Sequence, residues 1–107
     1  MVTVAVSDLI AVAKIQGAAK SIGMQVRVIK PQDLDLNDDF YIVDLMDPYG
    51  GFYVARTVKN AKPDAKVVGF YPHIRAYMKQ EAEGIGCIAF TNAEFFAKTK
   101  DILRGKI

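Results

Sequence analysis

The sequence predicts an α/β fold: a parallel sheet of five strands held between two layers of helices. Three observations carry this. Short strand-like runs alternate with helix-like periodicity along the whole chain, the pattern of βαβ units with right-handed crossovers. The strand-like runs are β-branched and apolar at consecutive positions, as strands buried on both faces are. The 107 residues are 51% hydrophobic and 24% charged with four prolines, which suits one compact domain spanning residues 1–107 around a single core.

The elements follow in order. Val2 to Val6 is a β-branched run bounded by Ser7-Asp8, and forms strand one. Leu9, Val12, Ile15, Ala19 and Ile22 recur at helical steps; Asp8 or Ser7 caps the start, and Gly23 stops the run. Gln25 to Lys30 alternates Val26 and Val28 with Arg27 and Lys30, a strand near a sheet edge that Pro31 ends. Only nine residues, Pro31 to Asp39, join strands two and three. The crossover helix there is at most a turn or is absent. Phe40-Tyr41-Ile42-Val43 is strand three, ending on Asp44, and Asp47-Pro48-Tyr49-Gly50-Gly51 is a turn by composition.

A helix from Phe52 to Lys62 follows, with Val54, Ala55, Val58 and Ala61 on one side. Lys66 to Tyr71 is strand four. Pro72 opens a helix with Ile74, Tyr77, Met78, Ala82 and Ile85 on one face, before Gly84 and Gly86 end it. Cys87 to Phe90 is strand five. Thr91-Asn92-Ala93-Glu94 has the form of a capping box, and Phe95, Ile102 and Leu103 supply the apolar stripe of one last helix.

Composition excludes several classes. Cys87 is the only cysteine, so neither a disulfide scaffold nor a zinc module is available. No apolar run approaches the ~18 residues of a membrane span, and no basic leader with a long apolar stretch follows Met1; the expected compartment is the cytoplasm, with no membrane partner. Fourteen basic against twelve acidic residues give a formal charge of +2, which argues against a nucleic-acid partner. The charge is uneven. Residues 33–47 carry six acids and no base, and the chain ends with Lys98, Lys100, Arg104 and Lys106, which reads as a solvated, dipole-compatible helix end.

In open parallel sheets, ligands bind beyond the carboxyl ends of the strands where strand order reverses. Five strands in the flavodoxin-like order 2-1-3-4-5 place that point between strands one and three. Asp8 and Asp44 converge there, with Asp47 one turn away, and Ser7, Tyr71, His73 and Thr91 rim the same edge. Asp33-x-Asp35-x-Asn37 imitates half a calcium loop, but Asp38 stands where the tight turn requires Gly, so it reads as a solvated loop. A flavin or nucleotide loop after strand one is opposed by Ser7-Asp8, which places an anion there.

At this edge the chain resembles the response-regulator receiver domains of two-component signalling, along essentially its whole length. Receivers carry an acidic pair after strand one, a phosphoacceptor Asp after strand three with a Pro four residues on, a Ser/Thr after strand four and a Lys-Pro after strand five. Ile42 to Gly51 resembles the phosphoacceptor segment, with Asp44 in the acceptor position and Pro48 at the expected distance. Ser7-Asp8 stands for the acidic pair with its first member lost. Tyr71 replaces the Ser/Thr, Phe90-Thr91 replaces the Lys-Pro, and no Lys lies between Glu81 and Ala97.

The resemblance implies a stand-alone receiver-like signalling protein. The departures imply a degenerate one, a pseudo-receiver that acts by protein–protein interaction with little or no phosphotransfer and is not an enzyme. Receivers offset the charge of the phosphoryl group with Mg²⁺ and the Lys ammonium; Asp8 and Asp44 alone make a weak Mg²⁺ site, and no other cofactor is implied. Two competing readings stay open: a phosphorylatable receiver with Asp44 as acceptor and Mg²⁺ held by Asp8 and Asp44, and a small-ligand binding module at the same edge. The expected partner is another protein or a second copy. Adjacent Phe95 and Phe96 cannot both face one core, so one of them, with Tyr77 and Met78, is expected to form the interface of a homodimer.

Overall fold

The computed structural model describes residues 1–106. The strands are β1 Val2–Ala5, β2 Val26–Ile29, β3 Phe40–Asp44, β4 Lys66–Tyr71 and β5 Ile88–Thr91. The helices are α1 Leu9–Ser21, α2 Gly51–Ala61, α3 Tyr77–Ile85, α4 Asn92–Ala97 and α5 Thr99–Leu103. The strands form one parallel sheet in the order β2-β1-β3-β4-β5, as expected. Among the described residues no helix is long and apolar enough to cross a membrane.

The alternation of side chains across each strand builds two cores. Val2, Val4, Ile42, Val68 and Phe70 point to the layer of α1, α4 and α5, where Ile15, Phe95 and Ile102 meet them. Ala5, Tyr41, Val43 and Val67 point to the layer of α2 and α3, where Val54, Val58 and Ala82 meet them. Such strands are apolar on both faces because both faces are covered.

The connection between β2 and β3 holds one short 3₁₀ turn, Pro31–Asp33, so the missing crossover helix is confirmed. An ionic network holds this segment in the helix's place. Arg27, paired in register with Thr3, donates to both oxygens of Asp35 at 2.5 and 2.7 Å and to Asp38 at 3.2 Å. The wholly buried Thr3 hydroxyl donates to Asp38 and accepts from Arg27. From the other side Lys62 pairs with Asp39 at 2.7 Å and donates to the carbonyls of Leu36 and Asp38. The acid-rich stretch is therefore an ion-paired clamp at the amino edge of the sheet, and its Asp35 is occupied by Arg27.

Several expectations are corrected. Pro72 leads into a 3₁₀ turn, His73–Arg75, and α3 starts only at Tyr77. Three residues per turn rotate Ile74 off the stripe set by Met78 and Ala82, and Tyr77, adjacent to Met78 in α3, points about 100° away from it: they are 76% and 57% exposed, while Met78 is buried. Gly84 lies inside α3, which ends at Gly86 with φ +100°. The last helix is two, broken at Lys98, where the Thr99 hydroxyl donates back to the Phe95 carbonyl. The capping box is present, with both Thr91 and Glu94 bonds formed. Leu9 leaves the helical stripe and is 81% exposed, because the first turn of α1 rises above the rim of the sheet.

Phe95 and Phe96 also depart from expectation. Phe95 is fully buried and Phe96 half-buried, since Phe70 receives both rings, at centroid distances of 4.7 and 5.3 Å, and the two pack edge to face on each other. The Lys14 ammonium covers Phe96 at 5.1 Å from the ring centroid. With Met78 and Phe95 inside, the expected interface keeps only Tyr77 and the half-buried Phe96 at the surface.

Candidate functional site

The site is built from the segments that leave the sheet at its carboxyl edge. In register, Val43 lies beside Ala5 and Asp44 beside Phe70, so Asp44 emerges one step past the end of β1. Its neighbourhood is set by close backbone packing. The Leu45 amide donates to the Phe70 carbonyl, and the Gly50 amide donates to the Asp47 carbonyl. Gly50 takes φ +109°, and a Cβ on Gly51 would stand 1.9 Å from the Asp44 carbonyl oxygen. The glycine pair lets α2 begin directly against the strand end that carries Asp44.

The three carboxylates share this edge but do different work. Asp8 is exposed and caps α1, accepting from the amides of Ile10 and Ala11 at 2.9 and 3.3 Å. Asp47 is buried. It accepts from the Ser7 amide at 2.9 Å, the Ser7 hydroxyl at 3.2 Å and the Tyr49 amide at 2.9 Å. It thus ties the loop after β3 to the loop after β1 through Ser7. Asp44 is half-buried and accepts from the Met46 amide at 2.9 Å. Burial raises its pKa above the ordinary carboxylate value against the lowering effect of the Met46 amide, and the charges of Asp47 and Asp8 raise it further.

The remaining rim residues make no bond to Asp44. Tyr71 lies beside Thr91 in register and packs among the residues under α2 and α3. His73 and Arg75 are exposed on the 3₁₀ turn, and neither makes an ion pair with Asp8 or Asp44. The Thr91 hydroxyl is committed to Glu94.

The carboxylates also fit a metal poorly. Among the described residues no group of three or more His, Cys, Asp or Glu side chains is arranged to hold a metal ion. Asp47 uses both oxygens on Ser7 and Tyr49, and Asp8 caps α1 through Oδ1 alone, which leaves Asp8 Oδ2 and Asp44 Oδ2 without a bond among the described residues. Mg²⁺ keeps several of its waters and is held by one or two carboxylates with phosphate oxygens, and the unbonded oxygens of Asp8 and Asp44 are what this edge could offer it.

Sequence reasoning missed what surrounds these acids. Leu9, Ile10, Met46, Tyr49, Tyr53 and Ile74 are all exposed, at 81, 70, 40, 63, 59 and 76%, and all lie on the loops or first turns leaving the carboxyl ends of β1, β3 and β4. Between α1 and the end of β2 runs a groove of about 500 Å³, floored by Val6, Val12, Val28 and Ile29 and walled by Leu9 and Tyr49. The available signal was Leu9-Ile10, two large aliphatic residues in the first helical turn, where one stripe accommodates only one of them.

Three solved structures are similar to the chain. One is the receiver domain of DrrB, from Thermotoga maritima, in its BeF₃-activated form, at 18% identity over 96% of each chain with a TM-score of 0.72. Another is the receiver domain of NtrX from Brucella abortus, at 14% identity over 99% of this chain and 97% of that one with a TM-score of 0.77. The third is a response regulator protein from Burkholderia pseudomallei with a phosphorylated aspartic acid, calcium ion and citrate, at 14% identity over 98% of this chain and 72% of that one with a TM-score of 0.68. No family model and no curated protein matches the sequence. The chain has the receiver-domain fold.

Proposed function

We propose that the protein is a receiver-like regulatory protein, not an enzyme, that works by binding another protein through the carboxyl edge of its sheet, with little or no phosphotransfer. The observation that carries this reading is the gathering of exposed Leu9, Ile10, Met46, Tyr49, Tyr53 and Ile74 around the acceptor-position Asp44. Water-facing apolar groups concentrated at one end of a small domain mark an interaction surface. The reading is supported by the local bonds of Asp8, Asp47 and Thr91, and by Phe90-Thr91 standing where receivers carry Lys-Pro.

The surface suits a partner that lays an apolar face into the groove between Leu9 and Tyr49. A second copy is one such partner, and light scattering reads it directly: Leu9→Asp with Tyr49→Asp would turn a self-associating parent into a monomer. For a different protein, the same pair should abolish capture of a partner that the parent and Asp44→Asn both retain. Capture lost in Asp44→Asn and kept in the Leu9/Tyr49 variant would reject the reading.

Phosphorylation of Asp44 is the second reading, favoured by one feature. Asp44 Oδ1 accepts from Met46, while Oδ2 has no bond among the described residues and is the atom that could take a phosphoryl group. Incubation with acetyl phosphate and Mg²⁺, read by intact mass, should leave the parent unmodified; a phosphoryl adduct absent from Asp44→Asn would establish the second reading instead.

A further inference from the structure

On the opposite flank from the groove, α1, α4 and α5 enclose a cleft of about 420 Å³, of the size that small-molecule sites occupy. Four cationic side chains line it, Lys14, Lys98, Lys100 and Arg104, against one carboxylate, Asp101. Asp101 lies 4.0 Å from Arg104; among the described residues Lys14, Lys98 and Lys100 make no ion pair. Part of the wall is apolar, formed by Phe96 and Ala18. Lys14 comes from a different helix than the other three, and its position over the Phe96 ring restrains the ammonium at the cleft before any ligand arrives.

We infer that this cleft binds a nucleoside phosphate. Lys14 of α1 and the three cations of the segment Lys98 to Arg104 line one small concavity, a concentration of positive charge that matches a compact multivalent anion. A nucleic-acid strand or an acidic peptide would instead require cations strung along an extended track. Ala18 and the half-buried Phe96, over one face of which Lys14 lies, give a planar base an apolar edge to leave water against, while Lys and Arg supply charge-assisted hydrogen bonds to the phosphates. The basic end of the chain thereby gains a role beyond complementing a helix dipole. This site shares no residue with the carboxyl edge, so it stands independently of the function proposed above.

The full chain is titrated with magnesium-free ATP at low salt and followed by amide NMR. Shifts should saturate at Ala18, Phe96, Thr99 and Arg104 and leave Asp44 unmoved. Adenosine should not bind, and inorganic triphosphate should bind more weakly than ATP, because it lacks the ring. Lys14→Gln and Lys100→Gln, both at exposed positions, should each weaken ATP binding roughly tenfold, the loss expected for one ionic hydrogen bond. Absence of saturation at millimolar ATP overturns the inference, as do triphosphate binding equal to ATP, undiminished binding by both variants, or tighter binding of a polyglutamate peptide than of ATP.

Discussion

Thr3 is a polar side chain on a central strand of a parallel sheet, and it is wholly buried. Its hydroxyl is tolerated because it donates to Asp38 and accepts from Arg27. Thr3→Val should cost about 1–2 kcal/mol, since it removes one bond from each of two partly buried charged groups; denaturant melts measure this directly. The Thr3 hydroxyl is the main cause that holds Asp38 below the ordinary carboxylate value, with Arg27 adding to it, and Arg27 does the same for Asp35. Groups with lowered folded pKa contribute stability that is present above the ordinary value near 3.8 and is lost as pH falls through the folded value. The parent should therefore lose stability on acidification below about pH 4, and Thr3→Val should lose less. Equal acid slopes in the two proteins would mean that the Thr3 hydroxyl does not hold Asp38 down.

Asp44 has the opposite sign. Burial, Asp47 and Asp8 raise its pKa, so its charged form is disfavoured in the folded state and stability falls as pH rises through the window above the ordinary value. Asp44→Asn keeps an acceptor for the Met46 amide and removes the charge. Its Tm at neutral pH should exceed the parent's by a few degrees, with the gap closing below about pH 4. A variant less stable than the parent at pH 7 would show that the ionised carboxylate is structurally required.

At the scale of elements, the turn into α2 and the last two helices are the most constrained. Gly51→Ala would drive a methyl group into the Asp44 carbonyl; the backbone on both sides is fixed by strand and helix bonds, so the loss should be about 3 kcal/mol or more. Circular dichroism melts check it, and a variant within 1 kcal/mol of the parent, on the scale of ordinary surface changes, would contradict the packing of α2 against β3. The three-ring cluster makes a second prediction. Phe95→Ala should cost ~3–5 kcal/mol, whereas Phe96→Ala, losing a half-buried ring, should cost clearly less. These predictions reverse the idea that either phenylalanine is a free docking ring.

Much of the fold was legible because it rests on local pattern. Val2 to Val6, Phe40 to Val43 and Lys66 to Tyr71 announce strands covered on both faces, and Pro31 followed by a short polar stretch announces a missing helix. The candidate site was legible only as positions. That Asp8, Asp44 and Asp47 meet at one edge follows from strand order, but whether a carboxylate is free depends on which amides approach it. The Ser7–Asp47 bonds form between loops forty residues apart. Likewise Phe96 is screened by Lys14, and Arg27 is matched to Asp35 and Asp38, through contacts that periodicity does not encode. Leu9 was misread for a different reason: helical spacing identifies a stripe, yet it does not say where the covering sheet ends.

The whole molecule presents two ends of opposite character. The amino edge is clamped by Arg27, Lys62 and their acids, and the carboxyl edge carries the exposed apolar side chains around a half-buried Asp44. The central claim is that this second end recognises a protein surface and does not respond to a phosphoryl group. It is tested most directly by titrating the parent with beryllofluoride at millimolar Mg²⁺ under amide NMR. The account predicts no saturable shifts at Asp8, Asp44 and Tyr71; saturable shifts clustered on those residues, absent from Asp44→Asn, would contradict it.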